Sequence, residues 1–267
     1  MTSTFRRASR RGIAFFSLAL TAAVAIAARP AAPGVTYRLR MVMTPPDMPG
    51  LQMAQVVLVG RGAAIGTQSR LDIDSVSGNA PMAIGDYMLT LDSGRILTVN
   101  PVSKTYSDAA SSMVAIPPQM LAQASITNVN VTTEKLGAGE AIQGYATEKV
   151  RMTTTYILNI MGQSMNAMNV SEMSMAKLPS AIATPFDGNL PKDLLDGPMK
   201  ELGEKMLAAR QALGTGTALK TVNTSTMTAP MFPQPITTVM TVELLDLKTG
   251  DVDPALLKIP EGFTKKP

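Results

Sequence analysis

Residues 147–176 constrain the fold most. Two runs, 147–161 and 164–176, alternate apolar with polar side chains on either side of Gly162-Gln163. Such alternation sends successive side chains to opposite faces, the mark of a half-buried strand. Gly at the first central position suits a two-residue type II′ hairpin. That turn pairs Ile160 with Met165, Leu158 with Ala167, Tyr156 with Asn169, Thr154 with Ser171, Met152 with Met173 and Val150 with Met175. This face is mostly apolar and rich in Met. The other pairs Asn159 with Asn166, Thr153 with Glu172 and Arg151 with Ser174, and is mostly polar. A slip of one residue would mix the two faces, so the pattern specifies them. A first strand of about 15 residues spans about 50 Å at ~3.3 Å per residue. Strands of that length go with a strongly twisted, curled sheet.

The same alternation recurs elsewhere. In residues 35–43, Tyr37, Leu39, Met41 and Met43 alternate with Thr36, Arg38, Arg40 and Val42, and a Pro-rich break follows at 44–50. Residues 52–59 and 65–76 read as the next strands. Arg70, Asp72 and Asp74 share one face of the latter, spaced for charge pairing on a solvated surface. Gly60-Arg61-Gly62 with Gly66 has the wrong spacing for a dinucleotide loop. Residues 87–91 and 95–99 flank Asp92-Ser93-Gly94 as a hairpin, and residues 104–106 continue the sheet. Residues 107–124 read as a short helix or lid, 126–136 as a strand and 178–198 as a loop. Over 198–213 the spacing predicts an amphipathic helix. Asp196 is its cap, Pro198 its first residue and Gly214 its stop, with Met199, Leu202, Met206 and Leu213 on one stripe. Residues 218–227 and 237–247 are closing strands, and 252–263 form a compact turn with an apolar anchor. The expected fold is mainly β (α+β), a curved antiparallel sheet with one or two covering helices, in a single domain over residues 35–267.

Residues 1–28 have a different character. Arg6, Arg7, Arg10 and Arg11 precede an uncharged run from Ile13, which ends in Ala25-Ile26-Ala27. This is the layout of a cleaved secretory signal peptide, with residues 29–34 as a flexible leader. The apolar run is shorter than the ~20 residues a spanning helix needs, so no stable transmembrane anchor is expected after cleavage. The expected location is periplasmic or secreted. The whole chain carries 24 Lys plus Arg against 20 Asp plus Glu. Cleavage removes four Arg and no acid, which balances the signs. No basic surface remains for nucleic acid.

The chain contains no Cys, no His and no Trp. Disulfides, thiolate metal sites and His-based catalytic or zinc sites are therefore excluded. Carboxylate chemistry survives, but the expectation is a non-enzymatic protein without a cofactor.

Several motifs in order carry a family resemblance. They are Arg70-Leu71-Asp72, Asn100-Pro101 followed by Lys104-Thr105-Tyr106, the Gly-rich turn before Ile142-Gln143-Gly144-Tyr145, and the ending from Val252-Asp253-Pro254 to Ile259-Pro260-Glu261-Gly262-Phe263. Across nearly all of the expected mature chain this order resembles a family of exported bacterial proteins of unassigned activity, with a fold like the lipoprotein carriers LolA and LolB. The resemblance implies a half-open β-barrel whose apolar concave face is covered by helices and, in the carriers, takes acyl chains. This chain departs from the family where Leu178-Pro179 replaces a Trp-containing strand.

The 20 Met residues suit an adaptable apolar surface. The expected partner is a lipid or lipoprotein acyl chain, lined by Met152, Tyr156, Leu158, Met165, Met173, Met199, Leu202 and Met206. The alternative is a filled, ligand-free envelope module that meets another protein. Thioethers also select Cu(I), although Met161 and Met168 fall on the face opposite Met165, Met173 and Met175.

Overall fold

Alternation of apolar and polar residues is realised as strand along most of the chain described by the computed structural model. The described residues are 31–46, 53–78, 80, 82–109, 124–160, 162–178, 199–214, 216–230 and 234–266. The expected signal segment, nearly all of the 107–124 helix and nearly all of the 178–198 loop lie outside them.

A first series of strands comprises β1 (Ala32–Thr44), β2 (Val56–Ile65), β3 (Gln68–Ser77), β4 (Tyr87–Thr90), β5 (Ile96–Asn100) and β6 (Thr105–Asp108). A second comprises β7 (Ser125–Ala138), β8 (Thr147–Ile160), β9 (Gln163–Ala176), β10 (Thr217–Thr228) and β11 (Ile236–Val252), with short β12 (Thr264–Lys265) at the end. The helix α1 (Lys200–Ala212) separates β9 from β10. Among the described residues these strands form one sheet that is not closed, ordered β12-β6-β5-β4-β3-β2-β1-β11-β10-β9-β8-β7. Two meanders thus meet where β1 pairs antiparallel with β11, from Ala32 opposite Val252 to Thr44 opposite Val239. Only the β12–β6 pair is parallel among the described pairs. No helix among the described residues is long and apolar enough to cross a membrane.

The β8–β9 hairpin forms with a different turn. Ile160 pairs with Gln163, so Gln163 belongs to the second strand and Gly162, at φ +78°, directly precedes it. Every partner shifts by two from the expected pairing. Arg151 now faces Glu172, with 2.7 Å between guanidinium and carboxylate, where the expected turn set Ser174 opposite Arg151. Opposite charges directly across a strand pair favour this register. A shift of two preserves both faces, so the Met-rich face stands as read.

Other boundaries also move. The second strand begins at Val56 rather than residue 52 and runs through Gly60 and Gly62 to Ile65. A Cβ on Gly62 would lie 2.1 Å from the Tyr37 ring, so this glycine marks close packing across strands rather than a loop. Strand β6 takes in Ser107 and Asp108, the first residues of the expected 107–124 helix. Helix α1 starts at Lys200, with Met199 at the N-cap and no side-chain cap bond; Asp196 and Pro198 lie outside the described residues. Its C-terminal stop, Gly214 at φ +91°, is as expected. The β4–β5 hairpin turns at 91–95, where Gly94 N donates to Leu91 O at 2.8 Å. In the tail, Asp253 caps the 3-10 turn Pro254–Leu257 through its Oδ1 and anchors fully buried Leu257.

Apolar clusters occupy both faces. The largest joins Val35, Tyr37, Leu39 and Met41 of β1 with Leu58, Leu71, Met88, Val242 and Leu244. On the other face, Tyr87, Leu89, Leu97 and Val99 pack under Ile259 and Phe263 of the tail. The tail is held there by Asp108, which pairs with Lys265 at 2.6 Å and with Arg95.

The turn between β7 and β8 reaches back to β11 where β11 pairs with β1. The Ile142-Gln143-Gly144-Tyr145 segment is a tight turn, with Gln143 at φ +52° and Gly144 at φ +81°. In β11 the ladder to β1 is irregular, passing from Lys248 opposite Thr36 to Leu245 opposite Arg38. Gln143 spans this bulge. Its Nε2 donates to Leu244 O at 2.5 Å, and its Oε1 accepts from Leu247 N at 2.9 Å. Ile142 and Tyr145 pack into the main cluster beside it.

Candidate ligand-binding face

Residues directly opposite in neighbouring strands share a face, so the registers give rows across the helix side of β8, β9, β10 and β11. One row runs Val150, Met173, Thr221, Val242 and on to Met41 of β1. The next runs Met152, Ser171, Asn223, Met240 and Met43. The third is Thr154, Asn169, Ser225 and Thr238, all polar and uncharged. The fourth is Tyr156, Ala167, Met227 and Ile236. The helix-side face is thus apolar at both ends of the strands and polar in a band between.

The eight expected lining residues fall into separate groups. Met152 and Met173 are buried in a cluster with Val150, Met175, Leu213 and Ala218, and Met206 and Ala209 of α1 lean on it. Tyr156, Leu158 and Met165 form a second cluster near the hairpin tip, with Ile160 and Ala124. Leu202 is buried on α1, while Met199 at its N-cap is half-buried. Between the groups lies the polar band, which the expected lining omitted. Asn169 and Ser171 could be placed on the Met-rich face from the hairpin alone. Their neighbours Asn223, Ser225 and Thr238 belong to strands whose order only the complete topology reveals.

Burial differs along this face. Thr154 and Ala167 are sealed, but Asn169, Ser171, Asn223, Ser225 and Thr238 are half-buried. So are the apolar Met43, Tyr156, Met165, Met227 and Met240. Ser171 Oγ donates to Asn223 Oδ1 at 3.2 Å. Under the helix, Arg210 Nη1 lies 2.9 Å from Met173 Sδ and 3.5 Å from Met175 Sδ. That fixed positive charge opposes binding of a second cation such as Cu(I) by these two sulfurs.

The opposite face is charged. Glu243 pairs with Arg40 at 3.5 Å and Lys220 at 2.9 Å, and Glu172 pairs with Arg151 and with Lys149 at 3.0 Å. The hydrogen bonds from Arg151 and Lys149 hold the Glu172 carboxyl below the ordinary carboxylate range. On β2 and β3, Arg61 pairs with Asp74 at 2.9 Å and Arg70 with Asp72 at 2.6 Å, the charge pairing expected of that strand. Arg70 also stacks 3.8 Å above the Tyr87 ring, and burial raises the pKa of that phenol. A recess of about 450 Å³ lies where the 138–142 turn meets Lys149, Glu172, Lys220 and Glu243. Another, of about 400 Å³, is lined by uncharged side chains that include Thr155, Asn166 and Met168.

Comparison of the chain with family models, with curated proteins and with solved structures finds no match.

Proposed function

We propose that this is an exported, non-enzymatic protein that shelters an acyl chain or lipoprotein anchor on the helix side of a half-open barrel. The supporting observation is the incomplete burial of Met43, Tyr156, Met165, Met227 and Met240 on the face that α1 covers. A filled core would seal such side chains, because each fully buried one contributes about 1.5–3 kcal/mol. Left half-buried, they form an adaptable apolar lining of the kind Met supplies in promiscuous sites. The order of motifs that resembles a family with a fold like the carriers LolA and LolB points the same way. The absence of His and Cys from the chain agrees with binding rather than catalysis.

The test is uptake of a neutral apolar fluorophore, N-phenyl-1-naphthylamine, and its displacement by monoacyl lipid. The chain takes up the dye, and Met165→Asp, at a half-buried position, weakens uptake at least tenfold. Unaltered uptake by that variant would remove the ligand face from the account. The second reading is a protein-interaction module. It draws on the β7 edge, whose residues are exposed along most of their length. It predicts no dye uptake and a protein partner lost on substitution in β7.

A further inference from the structure

We infer that the row Thr154, Asn169, Ser225 and Thr238 is a subsite for the uncharged polar part of the ligand, an ester, amide or hydroxyl group rather than a free carboxylate. This rests on the proposed ligand-binding reading and specifies its ligand class.

The row is continuous, because Thr154 pairs with Asn169, Asn169 with Ser225 and Ser225 with Thr238. It crosses four strands on the side that faces α1 and is flanked by Met152 and Met240 on one side and by Tyr156, Ala167, Met227 and Ile236 on the other. A bound acyl chain would exclude water from polar side chains beside it, which then need hydrogen-bond partners from the ligand. Thr154 is sealed, and Ser171 and Asn223 beside the row bond each other, but Asn169, Ser225 and Thr238 are half-buried and so accessible to the polar part of a ligand. Their hydroxyl and amide groups both donate and accept, which matches a carbonyl or hydroxyl of an amphiphile.

A carboxylate fits poorly. No Lys or Arg lies on the row or on the flanking rows of this face, so a buried anion there would be unpaired. Two cations face the sheet from α1 and both are engaged: Arg210 lies against Met173 and Met175, and Lys205 Nζ donates to Val129 O of β7 at 2.7 Å and pairs with Glu201 at 2.8 Å. Met173 is four residues along β9 from Asn169, about 13 Å at ~3.3 Å per residue. The row therefore selects neutral amphiphiles, and acyl chains extend from it over the apolar rows on either side.

The full chain is titrated at pH 8 with N-phenyl-1-naphthylamine, which is then displaced by monopalmitoylglycerol or by palmitate. Monopalmitoylglycerol displaces the dye at a concentration at least tenfold lower than palmitate. Asn169→Leu, and the nearly isosteric Thr154→Val, each reduce that preference about tenfold, read as the ratio of the two displacing concentrations on the same variant, as expected for loss of a hydrogen bond to the ligand. Circular dichroism shows that each variant keeps its β structure. Dye uptake with equal displacement by both lipids, or a preference that both variants retain, overturns the subsite alone. Palmitate preferred over the glyceride overturns it in favour of a carboxylate site, and loss of that preference in Arg210→Gln or Lys205→Gln names the cation. No dye uptake by the unaltered chain overturns the ligand-binding reading and the subsite together.

Discussion

Replacing Gln143 tests how the β7–β8 turn supports the β11 bulge. Its side-chain amide supplies a donor to Leu244 O and an acceptor to Leu247 N at the β11 bulge. Leu244 is only 2 % exposed, so Gln143→Ala strands a buried carbonyl, at a cost of about 1–3 kcal/mol. Leu247 is half-buried, and water can partly replace the second bond, which adds less. The net expectation is a loss of about 2 kcal/mol. Gln143 also sits at φ +52°, where a side chain costs roughly 1 kcal/mol relative to glycine. Gln143→Gly should therefore be about 1 kcal/mol less destabilising than Gln143→Ala. Gln143→Glu keeps the shape but sets a carboxylate against the Leu244 carbonyl, and should be at least as damaging as alanine at neutral pH. Urea unfolding followed by circular dichroism measures all three. With a slope of about 3 kcal/mol/M, 2 kcal/mol moves the midpoint by roughly 0.7 M. An unchanged midpoint for Gln143→Ala, or a Gly variant less stable than the Ala variant, would refute this account of the bulge.

Three further outcomes are expected. Gly62→Ala should cost several kcal/mol or prevent folding, because its Cβ would meet the Tyr37 ring at 2.1 Å; Gly94→Ala, with open space around it, should cost only about 1 kcal/mol for its left-handed backbone, and urea midpoints separate the two. Burial opposes ionisation of Asp108, but Lys265 and Arg95 outweigh it and hold its folded pKa below the ordinary value. Its contribution is thus present above about pH 4 and lost as pH falls through the folded value, so the stability gap between the parent chain and Asp108→Asn should close in acid. Tail release should accompany that loss, and limited proteolysis at 258–266 measures it. Replacing Arg151 and Glu172 together by Ala should cost less than the sum of the two single replacements, because the side chains are paired at 2.7 Å; strictly additive losses in urea unfolding would contradict that coupling.

Local pattern carried the strand content and failed where long-range contacts decide. Alternation placed β1, the β4–β5 hairpin and both faces of β8 and β9, because period two survives any even shift of register. It could not fix the shift itself, which the Arg151–Glu172 pair and the turn at Gly162 determine. The expected strands stopped at 59 and resumed at 65, because the Tyr37 ring that requires Gly62 within β2 comes from another strand. Strand order was illegible for a similar reason. The central β1–β11 pair joins opposite ends of the chain, and no local signal encodes it. The polar band of the candidate face follows from that order. Asn169 stood on the Met-rich face in the sequence, but its alignment with Ser225 and Thr238 exists only once β10 and β11 are in place. The expected lining was therefore named as one apolar surface, where the structure has two apolar clusters and a polar row between them.

Native mass spectrometry of the chain purified from its native source, with lipid extraction alongside, tests ligand binding most directly. The account predicts a stoichiometric adduct whose extract is a neutral acyl amphiphile. A clean ligand-free mass, unchanged after incubation with acyl lipids, would contradict it.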